Sequence, residues 1–363
     1  MDVLTEKKVF RFLVIAVLFF TLMFLMSITS FIFMPIGAYL AAIAVPIVGS
    51  GILYYITNPL VNLLEKYKVP RLVGILIVFL LLIAFVFFSV NVLIPIVQEQ
   101  FNKLVANTPN MARSMEEFFV LWQNRQNYLP ESIENAIQNV IDNLNTYVEG
   151  ITGFLFSFIG QIFSFLFSFV LIPFFLFFML KDGKKFVPFV TSFLSDKKAK
   201  SLAVLLKNVN KTLSSFIQGQ FIVSFSVGIM LLAGYLIVDL NYAVMLALFG
   251  LVMNLIPFVG PWISAIPAVI IGFFQDPMVG LWTAVIMIVA QQIESNLISP
   301  NVMGRVLKIH PLTVITLILA AGAIAGFIGL LFIIPSYAVF KTVISHFYHE
   351  WQENQPVGEK KLF

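Results

Sequence analysis

No charged residue occurs between Arg11 and Glu65. Further uncharged stretches run from Arg71 to Glu99, Glu149 to Lys181, Lys211 to Asp239, Asp239 to Asp276 and Lys308 to Lys341. Each is long enough for a helix to cross a bilayer, which takes about 20 apolar residues. In hydrocarbon the backbone must satisfy its own hydrogen bonds, so such stretches are helical. They are continuous rather than alternating, which excludes a transmembrane β-barrel. The predicted fold class is all-α, a polytopic helical membrane protein.

Composition agrees. The chain is 60% hydrophobic and 11% charged, against about 25% charged in soluble domains. Its 40 phenylalanines suit a membrane interior. There is no cysteine, which excludes disulfides, thiolate sites and iron–sulfur clusters. The net charge of +4 sits in membrane-flanking loops rather than in a nucleic-acid-binding patch. The lipid bilayer is the expected partner and nucleic acid is not. The first apolar run is too long for a signal peptide and reads as a retained span.

Lysine and arginine bias orients the chain. Lys7, Lys8 and Arg11 precede the first span, and Lys66, Lys68 and Arg71 follow the second. Residues 181–211 hold eight Lys against two Asp, whereas 98–150 hold three basic against seven acidic residues. The reading places both termini and the Lys-rich segment in the cytoplasm and 98–150 outside. Expected units are N-terminal transmembrane helices (1–97), an external insert of two amphipathic helices (98–150), a transmembrane helix (151–180) and a cytoplasmic Lys-rich helical segment (181–212). A C-terminal transmembrane core (213–347) and a cytoplasmic tail (348–363) follow. The first five spans fall near 12–33, 35–56, 72–97, 151–180 and 213–238. The Lys-rich helix begins near Ser195 as N-cap and runs straight into the fifth span. Its lysines read as a solvated basic face, with a lipid site as the alternative.

Beyond Asp239 the apolar stretches are interrupted. Residues 240–275 contain Asn254, Pro257, Gly260, Pro261 and Pro267; residues 309–340 contain Gly322, Gly326, Gly329 and Pro335. Glycine and proline within an apolar segment predict re-entrant hairpins or half-helices, here entering from opposite faces. Tightly packed short spans are the alternative. Pro257 lacks the donor for the carbonyl four residues earlier. With Asn254, that makes the turn a candidate for a cation or a polar solute, with a simple helix end as the alternative.

Glu294 is the carboxylate placed inside an apolar stretch. A charge at membrane depth costs at least ~2.5–3.5 kcal/mol, so such a group is protonated, paired or facing water. Gln291, Gln292, Ser295 and Asn296 surround it, and Gln291, Glu294 and Ser295 share a helical face. Glu294 is therefore a transport or ion-binding candidate that could exchange a proton for a cation. Alternatively it pairs with Arg305 or Lys308 at the interface. His346 and His349 have zinc-compatible spacing but no third ligand, so no metal is assigned. No phosphate-binding loop or nucleophile motif points to a cofactor or an enzyme.

The run Asn254-Leu-Ile-Pro-Phe-Val-Gly-Pro261, the run Gln292-Ile-Glu-Ser-Asn-Leu-Ile-Ser-Pro300, Gly304, Lys308-Ile-His-Pro311, Gly322, Ala325-Gly-Phe-Ile-Gly329 and Pro335 together resemble the autoinducer-2 exporter family, also known as PerM-like permeases. Asn58-Pro59-Leu60 and Pro70-Arg71 match its N-terminal pattern. The resemblance implies about eight spans, a prokaryotic plasma membrane and a homo-oligomer, pentameric in characterised relatives. It implies a transporter that exports a small polar solute such as autoinducer-2, or a sodium(lithium)/proton antiporter. A channel-like ring or a membrane scaffold is the alternative of another class.

Overall fold

The structure is a computed structural model that describes residues 8–107, 171–303 and 309–353. Every regular element among the described residues is helical. The helices are α1 (Lys8–Ile28), α2 (Ser30–Lys66), α3 (Arg71–Phe88), α4 (Leu171–Thr191), α5 (Asp196–Ile237), α6 (Ala243–Met253), α7 (Gly260–Gln275), α8 (Pro277–Ile293), α9 (Ser299–Met303) and α10 (Pro311–Glu353). Six helical runs are long and apolar enough to cross a membrane. This is a polytopic all-α membrane protein.

Several helix ends differ from expectation. Residues 57–66, read as a loop, belong to α2, a 37-residue helix that absorbs Pro35, Pro46 and Pro59. The α3 run continues through a π turn (Ser89–Leu93) to Asn107, past the expected start of the insert at 98. The remainder of the insert, its two amphipathic stripes and residues 151–170 of the fourth span lie outside the described residues. The Lys-rich segment is divided: its first part finishes α4, and Ser195 starts α5 in extended backbone, its hydroxyl making no cap bond. As expected, α5 is one unbroken 42-residue helix joining the Lys-rich segment to the membrane run.

Two packed groups share α5. In the first, Val61, Ile75, Val78, Leu176 and Leu180 of α2, α3 and α4 form a closed core. At its edge Arg71 Nη1 donates to Glu65 Oε1 at 3.0 Å, Lys184 Nζ reaches Glu65 Oε2 at 3.0 Å, and Arg71 Nε donates to the Leu180 carbonyl at 2.7 Å. Arg71 thus satisfies a helix carbonyl as well as marking topology. In the second group, α6 and α8 pack on α5 and α7 packs on α6 and α8, through a core that includes Val223, Val227, Leu231, Tyr235, Leu246, Met253, Ala268 and Met287. By contrast, no residue of the α1 run Phe10–Ile28 is buried, and its Phe and Leu side chains face outward.

Both interrupted segments are hairpins. α6 and α7 have 11 and 16 residues, short of the ~20 needed to span. The chain reverses between them through Phe258, whose φ is 66°. A Cβ on Gly260 would overlap the Met253 carbonyl, so glycine is required where the arms meet. In α10 the break falls at Ala325–Gly326, where Gly326 has φ 54° and ψ −137°. A Cβ on Gly329 would collide with the Ala321 carbonyl. Eight residues of straight helix rise about 12 Å, so this contact exists only because the chain folds back. The last of the six long runs, Leu312–Gln352, is thus two arms, 311–324 and 327–353.

Candidate functional site

Contacts along α5 give the direction of each neighbour. α6 descends from the Ile237 end: Gly250 meets Leu231, Gly228 meets Leu251, and Gln220 Nε2 donates to the Asn254 carbonyl at 2.6 Å. The first hairpin therefore turns near the level of Gln220. α10 approaches from the other end. Ser201 Oγ lies 2.9 Å from His346 Nε2, Thr212 Oγ1 lies 3.2 Å from Thr342 Oγ1, and Phe216 packs with Val314, Ile318 and Ile334. The second hairpin starts at the Lys-rich end and turns further along α5. Val259, at the turn of the first hairpin, packs against the Phe216 cluster of the second. The two hairpins overlap at mid-height of α5, having entered from opposite ends.

The Glu294 helix lies at the same height. Gly234 faces Ile286, and Gly219 faces Met303 at 2.8 Å for a built Cβ. Glu294 falls between those contacts. It opens a π turn, Glu294–Ile298, closed by the Ser299 amide donating to the Glu294 carbonyl. The cause is Pro300, which has no amide hydrogen and whose ring crowds the carbonyl four residues back. Widening the turn to i→i+5 relieves both. Pro95 stands in the same relation to the π turn Ser89–Leu93. π turns are frequent at functional positions.

The π turn divides the polar cluster. Gln291 and Glu294 face inward, half-buried, and the geometry brings them together without closing a hydrogen bond at Gln291 Nε2 or Glu294 Oε2. Gln292, Ser295 and Asn296 are exposed, Asn296 Nδ2 donating to Gln292 Oε1 at 2.9 Å. Asn254 is buried, and its Nδ2 also lacks a partner, as does Ser224 Oγ on α5. Four of the five orphaned buried polar atoms among the described residues, those of Ser224, Asn254, Gln291 and Glu294, thus sit in one band at mid-height of α5. A buried polar group without a partner costs about 1–3 kcal/mol. The band is the place in the described residues with the most unspent hydrogen-bonding capacity.

The expected carbonyl site around Pro257 has a different form. The Met253 carbonyl accepts from Ile256 N at 2.9 Å, and Gln220 occupies the Asn254 carbonyl. What stays open there is an amide donor, Asn254 Nδ2. Pro257, Gly260 and Pro261 lie in and just after the first turn; Gly326 forms the second, and Gly322 and Gly329 flank it. Arg305 and Lys308, the alternative partners of Glu294, lie outside the described residues. Among the described residues no group of three His, Asp or Glu is arranged to hold a metal.

Gln218 and Gln220 are two functional-site neighbours that charge patterning overlooks. Pro59 leaves the Tyr55 carbonyl without its helical donor, and Gln218 Nε2 supplies one at 2.8 Å. Gln220 does the same for Asn254. The available signal is two neutral amides inside an uncharged run.

Residues 18–349 match the AI-2E family transporter family. This chain belongs to that family. It is 34% identical over 348 residues to YueF, a candidate transport protein of Bacillus subtilis, covering 92% of each chain. It is 26% identical over 316 residues to a second candidate transport protein of that organism, YrrI, covering 86% of this chain and 89% of the other. PerM, a candidate permease of Escherichia coli K12, is 25% identical over 292 residues, 78% of this chain and 80% of its own. Membership joins the opposed hairpins and the polar band to a family of membrane transporters.

Proposed function

We propose that this protein is a secondary transporter that moves a small polar solute, such as autoinducer-2, outward through the band between the two hairpins. The carrying observation is the coincidence, at one height of α5, of four orphaned polar atoms with two hairpins entering from opposite ends. Such opposition suits alternating access, because each hairpin closes the band toward one side. Amide and hydroxyl groups match a hydroxylated solute, and apolar walls supply the rest. In this reading the protein works in a prokaryotic plasma membrane with both termini cytoplasmic, as a homo-oligomer, pentameric by the family resemblance.

A second reading, sodium(lithium)/proton antiport, is favoured by one observation: Glu294 brings a carboxylate oxygen with no partner into the band. Proteoliposome flux separates the two. With autoinducer-2 as solute, saturable efflux should fall about tenfold in Asn254→Ala, the loss of one binding hydrogen bond in a dry site. Glu294→Gln should keep the transport and flatten its pH profile. Solute-independent sodium-for-proton exchange abolished by Glu294→Gln would replace the first reading with the second. Linear, non-saturating flux would indicate a channel, and no flux from intact oligomers a scaffold.

A further inference from the structure

At the Lys-rich end, α5 and the outgoing arm of α10 line a half-open cleft of about 830 Å³. The helices touch at both rims. At one, Ser201 Oγ bonds His346 Nε2 and donates to Glu350 Oε2 at 3.1 Å; at the other, Thr212 meets Thr342. Between the rims the walls carry Lys200 and Lys211 from α5 and Lys341 from α10, with His349 on the same wall as Lys341. One carboxylate, Glu350, faces these groups, and it is engaged at the Ser201 rim. Among the described residues no carboxylate lies within ion-pair distance of Lys200 or Lys211. Ordinary basic helix faces are convex and solvated. Here lysines from two helices converge on a hollow whose size matches small-molecule sites.

We propose that this cavity is a binding site for a phosphate-bearing anion with two or more negative charges. Lys200 and Lys211 line one wall and Lys341 the other, and lysine ammonium groups, as point charges, suit phosphate oxygens. The Asn208 amide and the Ser345 hydroxyl add neutral polar groups to the lining. The site lies apart from the polar band, so its occupancy does not depend on which solute the protein carries. Two sources share the chemistry: a soluble phosphorylated anion, or a phospholipid headgroup reaching past Ile309 and Ala338.

The test uses the full-length protein in nanodiscs of phosphatidylcholine, titrated calorimetrically with inorganic pyrophosphate. Saturable binding is expected. Lys200→Gln, Lys211→Gln and Lys341→Gln should each weaken it at least about tenfold, as when a charge-assisted hydrogen bond is lost. Lys198→Gln and Lys207→Gln, on the same helix outside the cavity, should leave it unchanged. Each variant is checked for an unchanged thermal midpoint, which these exposed positions should preserve. In discs containing phosphatidic acid, whose phosphomonoester headgroup can carry two negative charges, loss of pyrophosphate binding by the unaltered protein identifies the headgroup as occupant; retained binding identifies the soluble anion. Absence of pyrophosphate binding in phosphatidylcholine discs, or binding that ignores all three cavity substitutions, overturns the proposal.

Discussion

The two hairpins are built on the same device and held in opposite ways. In each, a glycine presses against the carbonyl of the facing arm: Gly260 against Met253, and Gly329 against Ala321. The first hairpin is embedded. Most of α6 is buried, α7 packs along α8, and Gln220 fastens the turn to α5. The second packs chiefly on α5, and its turn is open, with Ile324 85% exposed. Similar turn chemistry therefore does not imply similar mobility. The first hairpin is a fixture of the core, and the second is free to move at lower cost.

The strongest way to break this comparison is to crowd both turns. Gly260→Ala places a methyl group on buried backbone with nowhere to relax. It should cost at least about 3 kcal/mol and leave little folded protein. Gly329→Ala makes a related clash at a more exposed site, and the core should still unfold cooperatively near its normal temperature. Equal losses in thermal midpoint for the two variants would abolish the distinction. Gly260→Ala is consequently no test of a hinge, although the sequence pattern invited that use.

A milder pair sharpens the contrast. Gln220→Leu orphans the buried Asn254 carbonyl and should cost about 1–3 kcal/mol. Hydrogen exchange should accelerate across 250–262 and stay unchanged across 318–332. Gly326→Ala meets a backbone conformation that L-residues avoid, at about 1–3 kcal/mol, with the lower end expected at an open tip. Its exchange should be the mirror image. Acceleration of both regions by either substitution would mean the hairpins open as one unit.

The least perturbing experiment concerns direction of entry. The chain contains no cysteine, so Asn241→Cys at the base of the first hairpin and His310→Cys at the base of the second give clean labels. An impermeant thiol reagent on intact cells should modify Asn241→Cys alone, and His310→Cys should react only after permeabilisation. Labelling of both from one side would remove the opposed geometry that transport is argued from.

The pattern of charges made the membrane helices legible, and glycine and proline made the hairpins legible, because both report on strong physical costs: buried charge and blocked backbone bonds. The second span was expected to end at 56, yet α2 runs on through Pro59, and Gln218 supplies from another helix the donor that Pro59 lacks. That compensation is a tertiary contact and has no local trace. Likewise the π turn at Glu294 follows from Pro300, but only the folded helix shows that the relief is a widened turn rather than an end. The division of Gln291 and Glu294 from Gln292, Ser295 and Asn296 depends on that widening, so an ideal 3.6-residue period could not give it.

α5 fastens both halves of the molecule with two latches. Gln218 holds the Tyr55 carbonyl of α2 and Gln220 holds the Asn254 carbonyl of the first hairpin. Two residues along a helix differ by about 200°, so the latches face nearly opposite ways on one rod. A helix of 42 residues does not shorten between neighbouring residues. An axial slip of one helical turn, about 5.4 Å, carries both amides out of hydrogen-bonding range together. A displacement of that size at the Lys-rich end would loosen the first hairpin and the N-terminal helices together, because one rod holds both.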